Sequence, residues 1–394
     1  MEISSKQMSL KYSAVQAGYW MGFCVAFSFA AVMLQARGYS NAELGAIMAL
    51  GNAAGLLLSP ALAARLDSSK RFTVFHALWA LQLLQLVLLT SFALIPGRSA
   101  AISVIFAIYI AFELCINPIN TQLYNLLELK GIHINYGAAR GTGSISFAAI
   151  SALLGMLAGR FGAEALPIAG LALIFFRCAA LLSVQLRLKG STAGAAPRAA
   201  QAPASRSVFE FMRGEPRFCG LLFGIAMLFF SHNIATNFMI NVVRNVGGGE
   251  ADMGWLNAFM AATEVPMMFM YELLTRRVRC PATLRFAAVV FVVKSAAWAL
   301  AANMPLLYAA SALQSISYAI VIPASVRYVN LYIAPQDQAK GQALAAGMTS
   351  LGTIFASCFG GILYDIVSVR TTLLVGTAAA ALGAALCLLC TERR

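Results

Sequence analysis

AISVIFAIYIAFELCINPINTQLYNLLE, residues 101–128, is the stretch that decides the fold. Wound as an α-helix, a segment of this length crosses the ~30 Å hydrocarbon core of a bilayer. Its polar residues are not scattered. Tyr109, Glu113, Asn117, Asn120 and Tyr124 step by four or three and therefore share one helical face. A soluble amphipathic helix would carry charge opposite its apolar stripe, whereas here the remaining faces are apolar. The segment reads as a membrane span whose polar stripe turns toward the protein interior.

Working outward, similar spans fall at 14–36, 43–64, 72–95, 140–160 and 164–186 in the first half. The second half gives 217–243, 252–275, 284–302, 304–333, 340–362 and 370–391. The 394-residue chain is 60% hydrophobic and only 11% charged, with mean hydropathy +0.77. A water-soluble protein of this size needs more charged surface. No short alternating strands point to a closed barrel, so helices are left to satisfy the backbone in lipid. The expected fold is an all-α membrane protein of twelve transmembrane helices in two six-helix bundles, residues 1–187 and 217–394. A Pro-, Gly- and Arg-containing linker, 188–216, joins them.

The net charge of +13 invites a nucleic-acid reading, but the placement of the charges excludes it. Lys6, Lys11, Arg65, Lys70, Arg71, Lys130 and Arg140 fall on one side of the first six spans. Arg187, Lys189, Arg198, Arg206, Arg213 and Arg217 crowd the linker. Arg276, Arg277, Arg279, Arg285, Lys340, Arg393 and Arg394 continue on the same side. The opposite side holds Arg37, Arg98, Arg160, Arg244 and Arg370. This positive-inside bias predicts cytoplasmic termini and linker, with the basic surface against anionic lipid headgroups. The first apolar stretch lacks a signal-peptidase pattern and is expected to be a retained span. The eight cysteines are scattered without metal-ligand spacing, so neither a disulfide framework nor a metal or other cofactor is expected.

A weak repeat links the halves. Ala42–Glu43–Leu44–Gly45 opens the second span and Ala251–Asp252–Met253–Gly254 the eighth, each placing an acid near a helix N-terminus. Both spans end in basic turns. A six-span unit repeated in parallel is the plan of alternating-access carriers.

Charges buried in the spans are expensive and mark function by default. Glu113 is a candidate solute ligand and proton site, with a hydrogen-bonded structural role as its competitor. Glu264, one face-repeat beyond Asn257 and just before Pro266, is the stronger candidate for proton coupling. A desolvated carboxylate can exchange a proton as its surroundings open and close. Lys294 is the buried cation expected to meet it, with Arg327 second. Arg140, after Tyr136–Gly137, offers a guanidinium to hydroxyls or a carboxylate, against the plainer role of a membrane anchor. Asn233, Asn237 and Asn241 step by four along span seven, with His232 and Thr236 on an adjacent line that can also hydrogen-bond a solute. Gln314 and Ser317, and Gln82 with Gln85, are weaker signals. Arg177 lies inside span six with no partner visible in the sequence.

Local runs in both halves resemble the major facilitator superfamily, and within it the lactose permease and nucleoside–proton symporter branch. Tyr136–Gly137–Ala138–Ala139–Arg140–Gly141–Thr142–Gly143–Ser144–Ile145–Ser146–Phe147 is similar to that branch's tyrosine–glycine–arginine run. On this match Arg140 takes the place of a substrate-binding arginine, and Glu264 before Val265–Pro266 that of the span-eight glutamate. Gly360–Gly361–Ile362–Leu363–Tyr364–Asp365 resembles the end of span eleven. The loop motif between spans two and three persists as Ala63 through Arg71, with Asp67 and Arg71 kept. Two departures count against lactose as the solute. Gln122 stands where the family's sugar-gripping acid is expected, and Gln314 and Ser317 replace the span-ten relay histidine and glutamate.

The combined expectation is a monomeric carrier of a bacterial cytoplasmic (inner) membrane. It would take up a small polar solute (a sugar, glycoside, nucleoside or small organic acid) with protons. Arg140, Glu113, Asn117, Asn233, Asn237, Gln122 and Gln314 are the expected solute contacts; Glu264, Lys294 and Glu113 are the coupling residues. The alternatives are a proton-driven antiporter exporting drugs or metabolites, and a non-transporting sensor on a carrier fold. No hydrolase elbow or nucleotide-binding loop points to an enzyme.

Overall fold

A computed structural model describes residues 5–69, 71–189 and 207–392, which are helices and short connections. Most of the expected linker lies outside the described residues, as do Lys70, Arg198, Arg206, Arg393, Arg394 and the side chain of Asp67.

The first half runs α1 (Ser5–Phe23), α2 (Ala30–Ala36), α3 (Asn41–Ser68), α4 (Val74–Leu94), α5 (Ala100–Leu129), α6 (Tyr136–Phe161) and α7 (Ala165–Lys189). The second begins with α8 (Val208–Gly214), α9 (Pro216–Thr236), α10 (Met239–Asn245), α11 (Glu250–Arg277) and α12 (Cys280–Leu300). It ends with α13 (Met304–Ala312), α14 (Tyr318–Tyr332), α15 (Gln338–Ile366) and α16 (Val369–Cys390).

Short polar side chains start several of these helices by satisfying free backbone N–H groups. Ser99 Oγ accepts from Ile102 N at 3.3 Å, Asn135 Oδ1 from Ala138 N at 3.0 Å and Asn303 Oδ1 from Leu306 N at 3.0 Å. Thr73 and His76 cap each other at the start of α4. Asp365 caps a helix other than its own. Its carboxylate accepts from Asn41 N at 3.1 Å, Asn41 Nδ2 at 2.8 Å and Ala42 N at 2.8 Å, at the start of α3.

Among the described residues, ten helices are long and apolar enough to cross a membrane, or eleven if α1 and α2 form one bent span. That pair bends by 44° across a π-helical turn, Cys24–Ser28. The segments α13 and α14 act as one span interrupted by a 3₁₀ turn at Leu313–Ile316. Helix α11 is as long as its neighbours, but Asn257, Thr263, Glu264 and Pro266 dilute its hydropathy. Large apolar side chains such as Leu57, Leu94, Ile168, Phe175 and Leu389 are exposed on the protein surface. In water such a surface would drive aggregation, whereas in lipid it is the solvated face.

The chain divides into two compact units. One comprises residues 1–39, 50–198 and 250–258; the other 40–49, 199–249 and 259–394. The first is filled by Tyr12, Tyr19, Leu78, Ile116, Leu123 and Leu181, the second by Phe218, Ile225, Phe291, Val321 and Tyr328.

Candidate functional site

In the first unit Glu113 on α5 is fully buried and forms an ion pair with Arg177 on α7. Arg177 Nη1 donates to Oε1 at 2.9 Å and to Oε2 at 2.8 Å, and Gln85 Nε2 on α4 donates to Oε2 at 2.6 Å. Arg177 Nη2 donates in turn to Gln85 Oε1, closing a three-residue ring of polar contacts. This supplies the partner that Arg177 lacked in the sequence. Glycine makes the space: a Cβ on Gly22 of α1 would collide with Arg177 Nη1. Two opposite charges desolvated together cost far less than either alone.

A second polar group lies around Trp20 in the same unit. The guanidinium carbon of Arg140 sits 3.9 Å from the Trp20 ring centroid, and Arg140 Nη1 donates to Ser144 Oγ at 2.9 Å. Tyr12 donates to the carbonyl of Asn120 at 3.0 Å and accepts from Gln16 Nε2 at 2.8 Å. The side-chain amide of Asn120, Oε1 of Gln16 and Nε1 of Trp20 are buried and have no hydrogen-bond partner among the described residues. Each such atom carries a desolvation cost that a bound polar group would relieve. Asn117 and Gln122 on α5 are half-buried.

In the second unit the 3₁₀ turn between α13 and α14 places Gln314 between two charges. Lys294 Nζ on α12 donates to Gln314 Oε1 at 2.7 Å, and Gln314 Nε2 donates to Glu264 Oε1 on α11 at 2.9 Å. Lys294 is fully buried, with its ammonium 4.0 Å from the Phe291 ring centroid and 4.7 Å from that of Trp298. His232 Nδ1 on α9 lies 3.4 Å from the same nitrogen. Two positive charges at that separation would repel by about 5 kcal/mol at an effective dielectric of about 20. Tyr318 covers the imidazole, centroid to centroid 4.5 Å.

The expected pairing of Lys294 with Glu264 thus runs through an amide. Ser317 spends its hydroxyl on the Leu313 carbonyl at 2.7 Å. Asn233 and Asn237 reach from α9 to α15, donating to Thr353 Oγ1 at 3.1 Å and to Ser357 Oγ at 2.9 Å. Sequence reasoning underrated Gln85 and missed the closeness of His232 to Lys294. Spacing along one chain carries no register between helices. Among the described residues no group of three or more His, Cys, Asp or Glu side chains is arranged to hold a metal ion.

The chain is a polytopic helical protein with charges paired inside its apolar units. The family model described as "MFS_1 like family" matches residues 18–375, and the chain belongs to that family. It is a secondary transporter of the major facilitator superfamily, moving small molecules across a membrane, and not an enzyme. No curated protein matches by sequence. The fold is similar to that of a mutant of the nucleoside transporter NupG, with a TM-score of 0.80 at 14% identity over 99% of this chain and 100% of that one. A second NupG structure gives 0.74 at 16% identity over the whole of both chains. An auto-inhibited POT family peptide transporter gives 0.73 at 12%, covering 98% and 96%. At these identities the likeness is one of fold.

Proposed function

We propose that the chain is a proton-coupled symporter that takes up a small polar solute by alternating access. The arrangement is twelve spans in two bundles, 1–187 and 217–394, joined by a linker at 188–216. It sits as a monomer in a bacterial cytoplasmic membrane with both termini inside. The observation that carries this reading is the chain from buried Lys294 and Gln314 to half-buried Glu264, an acid and a base joined in a membrane unit by one amide. A structural role would be met by a direct ion pair, as between Arg177 and Glu113. An intervening amide leaves each charge able to change protonation separately. Glu264 is the coupling acid, loaded from the proton-rich side and discharged on the other.

The unpartnered atoms of Gln16 and Asn120 around Tyr12, and that of Trp20 under Arg140, favour a polar solute with a ring face, such as a sugar or nucleoside. Two expected solute contacts, Asn233 and Asn237, hold α15 in the present arrangement and would have to exchange those bonds to bind. The test is uptake in proteoliposomes with an imposed pH gradient, over radiolabelled sugars, nucleosides and small organic acids. Accumulation driven by an acidic exterior and abolished by a protonophore is expected. Solute driven outward as protons enter would replace this reading by antiport.

A further inference from the structure

We infer that His232 and Lys294 hold one proton between them, and that His232 is thereby a further member of the coupling set around Glu264. The inference rests on the proposed coupling role of that set, and its starting point is a constraint on hydrogen-bond direction. An ammonium has three N–H groups and no lone pair, so the Nδ1 that faces it at 3.4 Å must bring the lone pair. The imidazole is then neutral, with its proton on Nε2. If the imidazole is instead charged, its Nδ1–H points at Lys294, which must supply the lone pair as a neutral amine. Both cannot be charged, because the rings of Phe291, Trp298 and Tyr318 occupy the space from which water would solvate a second cation.

Gln314 joins this pair to Glu264. With Lys294 as ammonium, Gln314 Oε1 accepts from it, which commits the Nε2 end to donate to Glu264 Oε1. When His232 takes the proton, Lys294 as a neutral amine receives Nδ1–H on its single lone pair and still donates an N–H to Gln314 Oε1. In that transfer one N–H bond of the ammonium breaks and the Nδ1 lone pair of His232 forms the new one. No other reactant is needed. The two arrangements hold the same protons, and a change of charge on Glu264 shifts the balance between them through Gln314.

Other groups facing the pair do not compete for that proton. Tyr318 covers the ring from α14, and Ser231 and Ser295 bond each other beside it at 2.8 Å. Beside His232, α15 and α16 meet α9 through Thr353, Ser357 and Gly376, none of which titrates, whereas Cys387 and Cys390 of α16 meet α9 at Gly224 and Gly220, about two or more turns away.

The chain has three histidines, and His76 and His133 are exposed. The double variant His76→Gln/His133→Gln leaves His232 alone, and glutamine at His76 suits its place in the capping box. With ¹³C,¹⁵N-histidine in lipid nanodiscs, solid-state NMR at about pH 8 reads the tautomer. A neutral ring with its proton on Nε2 and a bare Nδ1 is expected; a neutral ring protonated on Nδ1 overturns the inference without any further variant. At about pH 6, adding Lys294→Met is expected to raise the imidazolium population at least tenfold; an unchanged population also overturns it. The readout needs no solute or gradient, so its failure is distinct from failure of the uptake assay.

Discussion

Arg177 Nη1 reaches both carboxylate oxygens of Glu113, at 2.9 and 2.8 Å, in the buried interior of one helical unit. Removing either partner leaves the other charge without compensation. Arg177→Met is expected to destabilise the protein by about 3–5 kcal/mol, read as a large drop in the thermal unfolding midpoint in detergent. Adding Glu113→Gln should recover most of that loss. If the double variant is as unstable as the single, the ion pair is not the source.

Gly22 sets the space for that guanidinium. A methyl at this position collides with Arg177 Nη1, so Gly22→Ala is expected to cost about 1–3 kcal/mol through overpacking. The same substitution in the Arg177→Met background should cost much less. Equal costs in both backgrounds would place the strain elsewhere.

Glu264→Gln keeps an acceptor for Gln314 but removes the proton-carrying acid. Solute binding should stay measurable while accumulation against a gradient is lost. Normal accumulation in proteoliposomes would remove Glu264 from the coupling role.

Arg140 stacks on Trp20, and that geometry depends on a planar guanidinium. Arg140→Ala is expected to weaken binding of the transported solute at least tenfold, a loss of about 1.4 kcal/mol or more. Arg140→Lys should restore only part of it. Unchanged affinity in a thermal-shift titration would leave Arg140 as a membrane anchor.

Asp365 satisfies backbone donors at the start of α3. Asp365→Ala should cost about 1 kcal/mol, as loss of a helix cap does, and Asp365→Asn less. Chemical unfolding curves of the two variants would rank them; the reverse order would mean that charge repulsion, not capping, dominates.

The spans were legible because lipid imposes length and apolarity on each segment separately. What the sequence could not carry was register between segments. Glu113 and Arg177 are 64 residues apart, and nothing near either names the other. The stripe on α5 is one helical face, yet Glu113 on it meets an arginine while Asn120 keeps an unpartnered amide. Gln314 looked like a weakened relay position. Its part as the link between Lys294 and Glu264 depends on a local change of helix type that periodicity does not register.

The tight turn from Leu313 to Ile316 makes chain length itself a constraint. One residue gained or lost between Ala312 and Ser317 would rotate everything beyond it by about 100°, swinging either Gln314 or α14 out of alignment. Insertions that a surface connection absorbs would here uncouple the two ends of a single span. Among diverging descendants of this chain, that segment should change its letters far more readily than its count.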